Sequence, residues 1–167
     1  MTEKPYDSRP ETWEHIHLVR NYLSDVIVAL LARQRQHDQS KLVDPERGVF
    51  DEYTPKLRDS TYGSDEYRAF LVGMGEGLQH HYAHNSHHPE HYPEGIDGMD
   101  LLDLIEMLAD WKAATQRHAG GDLLRSLEIN QERFDIQPQL WSVLHNTALR
   151  MGWATQDIPN PEEAEGE

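Results

Sequence analysis

The chain has 167 residues, no cysteine and a formal net charge of −15 at pH 7. That length fits one domain with a core of its own, and the lack of thiols excludes disulfides and thiolate metal sites, so any metal must sit on His, Asp or Glu. So negative a surface repels a long nucleic-acid backbone, whose affinity comes from Lys and Arg neutralising phosphates; a small anionic substrate stays compatible where a metal and one or two cations supply local positive charge.

No apolar run reaches the roughly 18 residues of a membrane span. The start, MTEKPYDSRP, has no apolar stretch of a secretory signal, so a cytoplasmic protein is expected. Residues 1–10 read as an irregular lead-in. From Glu11 to about Arg35, Ile16, Leu23, Ile27, Leu30 and Leu31 recur at helical spacing without Gly or Pro. The apolar segment VIVALL, residues 26–31, serves either the core or a homo-oligomer interface. DPERGVF and EYTPKLRDSTYGS read as a polar connection with one short helix near 45–52. Ser64 is placed to cap a helix over 65–84, with Asp65 and Glu66 in its first turn. Gly73, Gly75 and Gly77 weaken that helix by roughly 1 kcal/mol each against Ala, and suit close packing or a ligand. PEGIDG is a turn, and helices are expected over 99–118, 122–133 and from Pro138 to near Gly152. Trp111, Trp141 and Trp153 are read as core aromatics. The end, IPNPEEAEGE, reads as part of an acidic disordered tail over 154–167. No window alternates as a strand would. The expected architecture is all-α, a compact single domain of five to six helices spanning 11–153.

Three stretches carry chemistry. QHHYAHNSHHPEHY, residues 79–92, holds six of the eleven histidines. Continued as a helix, it would place His80, His84 and His88 in one row and His81, His84 and His88 in an overlapping set. QHDQSK, residues 36–41, sets His37 beside Asp38 with Lys41 three residues on. In MDLLDLIEMLADWKAA, Asp103, Glu106 and Asp110 share a helix face. Asp103 also reads as a first-turn charge. Lys56 and Arg58, in EYTPKLR, are either phosphate clamps beside the site or surface charges. His17 reads as a surface residue, His118 and His145 as structural or exposed, and His91 as facing solvent.

The order of WEHIHLVRNYL, QRQHDQSKL, the histidine cluster and DLIEMLADWKAA resembles the HD-domain superfamily of metal-dependent phosphohydrolases. It is similar above all to an uncharacterised HD-like family of viral and bacterial genomes. HDQSK resembles that superfamily's His-Asp-x-Gly-Lys signature, with Ser40 in place of Gly. The resemblance covers most of residues 11–152. It implies His15 as first ligand, His37 and Asp38 as the central pair with Asp38 able to bridge two ions, and Asp110 as the closing ligand. His81 and one of His87 or His88 then serve a second metal or a substrate phosphate; His88 is taken as the ligand, with His84 and His87 as substrate contacts. Lys41 reaches a phosphate oxygen. Glu106 orients the attacking water or holds a ligand histidine by its second nitrogen. Imidazole with carboxylate suits one or two ions of Mn, Fe, Co, Ni or Zn, with Mg compatible with a carboxylate-rich site.

The resemblance therefore implies an enzyme that hydrolyses a small phosphorylated molecule, a nucleotide such as a (deoxy)nucleoside 5′-phosphate, through a metal-bound water. Two other readings share the ligand set: an HD-like di-iron oxygenase, and a non-catalytic metal- or nucleotide-binding protein. One requirement is geometric. His15 and His37 are 22 residues apart, about 33 Å along an unbroken helix. To share an ion, the chain must turn back around Asn21–Asp25, with Ser24 capping the second segment; otherwise His80, His81 or His84 must replace His15.

Overall fold

A computed structural model of the chain describes residues 6–61, 63–117 and 121–155. They form six α-helices, α1 (Arg9–Gln36), α2 (Glu46–Asp59), α3 (Asp65–His84), α4 (Leu101–Thr115), α5 (Leu123–Arg133) and α6 (Pro138–Arg150). Three short 3-10 turns lie at Gln39–Leu42, Pro89–His91 and Gly95–Gly98. No strand occurs among the described residues, so the protein is all-α. No described helix is long and apolar enough to cross a membrane. The expected acidic tail beyond residue 155, with Tyr62 and His118, lies outside the described residues.

The chain falls into two units, one ending at His37 and one beginning at Asp38. The first is α1, a helix of 28 residues. Asp7 pairs with Arg9 at 2.8 Å, and Pro10 occupies the first turn, where a missing N–H costs nothing. The expected reversal around Asn21–Asp25 does not occur. Ser24 caps no second segment; its Oγ donates to the Arg20 carbonyl at 2.9 Å inside the continuous helix. The helix stops at His37, whose φ of −47° and ψ of 122° leave the helical region.

In the second unit, the caps expected at Ser64 and Pro138 form, and Asp100 adds one not expected from the sequence. Ser64 Oγ accepts from the Tyr67 N–H at 3.1 Å and starts α3. Asp100 and Asp103 exchange bonds in a capping box at the head of α4. Pro138 opens α6. The apolar core draws Met107, Leu108 and Trp111 from α4, Leu123 and Leu127 from α5, and Leu144 and Ala148 from α6. Trp141 and Trp153 pack against it, partly buried.

The main departure is α2, which runs to Asp59 and contains Pro55, where one short helix near 45–52 was expected. Close packing on α3 sustains it. A Cβ at Gly73 would stand 2.6 Å from the Tyr53 hydroxyl, and one at Gly77 2.6 Å from Val49 Cγ2. Only glycine lets the helices approach so closely. Gly75 breaks the regular path of α3 with a φ of 49°. Gly73 and Gly77 thus serve packing, and they bring the start of α2 beside the histidine-bearing end of α3.

Candidate metal centre

Asp38 opens the second unit in the left-handed region, with φ 57°, which an Asp tolerates better than most side chains. The 3-10 turn Gln39–Leu42 follows, and α2 begins at Glu46. His81 lies in the last turn of α3. That helix ends at His84, because Asn85 is extended with φ −128° and ψ 98°. The helical row from His84 to His88 is therefore broken, and His87 and His88 are aimed by the loop instead.

One ligand atom from each of Asp38, His81, His87 and His88 falls within 4.8 Å of the others. His81 Nε2 is 2.8 Å from His88 Nε2 and 3.5 Å from Asp38 Oδ1. His87 Nε2 is 3.6 Å from the same oxygen. Ligands about 2.1 Å from one tetrahedral ion stand about 3.4 Å apart, so the spacing suits a single small cation. A carboxylate oxygen of Asp110 also lies within 4.8 Å of Asp38. Asp38 divides its two oxygens: Oδ1 faces the histidines, while Oδ2 accepts from Lys41 Nζ at 2.6 Å. The lysine ammonium lies over the Phe50 ring, 4.9 Å from its centroid.

Two carboxylates support the imidazoles from behind. His81 Nδ1 meets Glu46 Oε2 at 2.9 Å, and His87 Nδ1 meets Glu106 Oε1 at 3.1 Å. A carboxylate only accepts, so each Nδ1 carries the hydrogen and each Nε2 is left as an electron-pair donor. This is the tautomer a metal-binding histidine needs. Burial and the Lys41 charge hold His81 below the ordinary imidazole pKa, against the opposing pull of Asp38 and Glu46. Burial, with the neighbouring His87 and His81, pushes His88 down to about 2. Both rings are therefore neutral at pH 7, as ligands must be. Burial works to raise the Glu46 carboxyl, but hydrogen bonds from His80, Ser40 and His81 outweigh it and hold the group below its usual range.

The sequence expectations fare unevenly. Asp38, His81, His88, Asp110 and Lys41 are brought together. His87, read as a substrate contact or as the alternative ligand to His88, is 2% exposed and stands among the ligand atoms beside His88. Of the two roles open to Glu106, its geometry is that of the histidine support. His15 is corrected: α1 is unbroken, so His15 and His37 stand about 33 Å apart along it, and cannot meet on one ion within the chain. His37 is the residue before Asp38 and the C-cap of α1.

His84, another expected substrate contact, is exposed and stacks on His80 with centroids 3.9 Å apart. Lys56 pairs with Glu52 at 2.7 Å and Arg58 with Asp59 at 3.1 Å, both along the exposed surface of α2. Asp103 is buried by Ser86 and Tyr92, whose hydroxyls each donate at 2.7 Å. His91 is tied to the Tyr82 carbonyl at 2.8 Å rather than facing solvent alone. His145 stacks on Trp141, and His17 lies 6.2 Å from Trp13. Glu46 was missed; its only signal was an acidic residue near the start of the short helix expected over 45–52.

The chain belongs to the family of unknown function DUF5662, whose model matches residues 4–150. That span contains every residue of the centre. No curated protein and no solved structure matches the chain.

Proposed function

We propose that this chain is a metal-dependent phosphohydrolase acting on a small phosphorylated substrate, with a nucleotide such as a (deoxy)nucleoside 5′-phosphate as the favoured class. The observation that carries it is the convergence of three imidazole nitrogens and Asp38 Oδ1, with the Lys41 ammonium on the other Asp38 oxygen. A thiolate-free set of this kind suits Mn, Fe, Co, Ni or Zn. The fit rests on ligand spacing, on neutral imidazoles and on their carboxylate supports. His81, His87, His88 and Asp38 would hold the ion. Asp110 joins them through its nearness to the same carboxylate. When bound, the ion supplies a lowered water pKa and a Lewis acid for a phosphoryl oxygen.

The chain's own residues supply the rest. Lys41 offers an ammonium to a non-bridging phosphate oxygen, turning from Asp38 Oδ2 or sharing itself with it. In a molecule of net charge −15, that local cation is what admits an anion. Glu106 keeps His87 Nδ1 protonated and its Nε2 directed inward. Little further covalent chemistry is required, because phosphoryl transfer depends mainly on positioning and charge stabilisation.

Elemental analysis of untagged protein, beside an Asp38→Asn variant, tests the reading. Asn keeps the side-chain size and tolerates the left-handed backbone, so loss of metal reports the carboxylate. The expected result is stoichiometric metal in the wild type, loss of most of it in the variant, and phosphate release from a nucleotide panel by the metal-loaded wild type alone. Metal retained unchanged in Asp38→Asn would sink the centre. A loaded centre inert on every phosphoester, but consuming oxygen after anaerobic iron loading, would replace the hydrolase by an oxygenase.

A further inference from the structure

We propose that Glu46 is a positioning residue of the metal centre: it fixes the tautomer of His81 and ties the Asp38 segment to α3. The proposal rests on the metal-centre reading above. Glu46 is 0% exposed, and a buried carboxylate is costly unless its oxygens are fully supplied with donors. His80 Nδ1 donates to Oε1 at 2.7 Å. His81 Nδ1 and Ser40 Oγ donate to Oε2, both at 2.9 Å. Ser40 Oγ in turn accepts from Asn85 Nδ2 at 2.9 Å.

Two of these donors belong to the centre's own segments. His81 presents its other nitrogen to the ligand cluster, 2.8 Å from His88 Nε2. With Nδ1–H committed to the carboxylate, His81 can bind an ion only through Nε2. Ser40 lies between Asp38 and Lys41, so the same carboxylate fixes where Asp38 stands relative to His81. The Ser40 hydroxyl makes a bond here that glycine at that position could not make. Glu106 does for His87 what Glu46 does for His81, but Glu46 also spans two ligand-bearing segments. A carboxylate that only stabilised the fold would have no bearing on which nitrogen binds metal.

Zinc is the probe. Zn(II) affinity is measured by competition with an indicator chelator for wild type, Glu46→Gln and Glu46→Asp. Long-range proton–nitrogen NMR of the zinc-loaded wild type reads the His81 tautomer. The expected outcome is Zn(II) affinity 10–100-fold weaker in Glu46→Gln, partial recovery in Glu46→Asp, and His81 protonated at Nδ1 with Nε2 on the metal. Glu46→Gln that is folded by circular dichroism and binds zinc as the wild type does would overturn the role. So would His81 bound through Nδ1, a readout on the wild type that decides the matter even where Glu46→Gln fails to fold. A wild type that takes up no stoichiometric metal overturns the centre itself, a different result from metal bound without regard to Glu46.

Discussion

Around Leu127, the second unit is filled by aliphatic and aromatic side chains from α4, α5 and α6. Around Glu46, an equally hidden region is filled by His81, His87 and Asn85. The first is held by burial of apolar surface, which is non-directional and forgiving of small shifts. The second is held by hydrogen bonds whose donors and acceptors must all be matched, since an unmatched buried partner costs more than a made bond returns. One region can therefore be loosened without altering the other's chemistry, and the substitutions that should do so differ in kind.

The largest separable effect should come from Leu127→Ala. Leu127 is 0% exposed in the apolar core, and truncating such a leucine costs about 2–5 kcal/mol. Denaturant unfolding should show that loss, while metal content per folded molecule stays at the wild-type level. A variant equally destabilised and also depleted of metal would mean the two regions form one cooperative structure.

Acidification should strike the other region. His81 and His88 are both held below the free imidazole value of 6.5. Their folded pKa values are depressed, so below about pH 6.5 the unfolded chain binds protons that the folded chain refuses. Stability is intact above that pH and falls as pH drops toward the folded values. A depressed imidazole costs at most about 1.4 kcal/mol per pH unit, a slope reached only once its unfolded form is fully protonated, so the loss steepens as pH falls below about 6.5, with His88 contributing throughout. Thermal melts of the metal-free protein between pH 7.5 and 5.5 should show a falling Tm, with Leu127→Ala displaced by a similar amount throughout. A Tm that is flat or rises on acidification contradicts the buried neutral imidazoles.

The difference between the regions also explains what the sequence made legible. Helical patterning placed α3, α5 and α6, helped at α3 and α6 by Ser64 and Pro138, which act through local backbone chemistry. The length of α2 was hidden: Pro55 and a polar composition argue against it locally, and the close packing that Gly73 and Gly77 of α3 allow is distant in sequence. In the centre, Asp38, Lys41, His81, His88 and Asp110 could be named from motif order. That His87 and His88 both stand among the ligand atoms could not be read from spacing, because the extended Asn85 ends the helical register and turns the next side chains by amounts no spacing rule supplies. Glu46 was invisible for a related reason, since its partners Ser40 and His80 lie 6 and 34 residues away. His15 failed in the opposite sense: the motif order favoured it, but nothing in the sequence between it and His37 breaks the helix.

The smallest change tests the joint between α2 and α3. Gly77→Ala gains up to about 1 kcal/mol of helix propensity, yet its methyl would stand 2.6 Å from Val49 Cγ2 and 2.9 Å from Val49 Cβ. Val49 is branched at Cβ and cannot swing aside freely, so overpacking of about 1–3 kcal/mol is expected. The net destabilisation should be at most about 2 kcal/mol. Its consequence for the centre should be larger than that figure suggests, because pushing α2 outward draws Glu46 from His81. Zinc affinity should therefore fall in Gly77→Ala, whereas the more destabilised Leu127→Ala keeps it. The double variant Gly77→Ala/Val49→Ala, which removes the obstructing methyls, should recover both. Gly48→Ala is the control, since an added Cβ there meets nothing within 4 Å. If Gly77→Ala leaves zinc affinity unchanged, the close approach of the two helices serves packing alone, and the centre is held by its hydrogen bonds without help from the glycines.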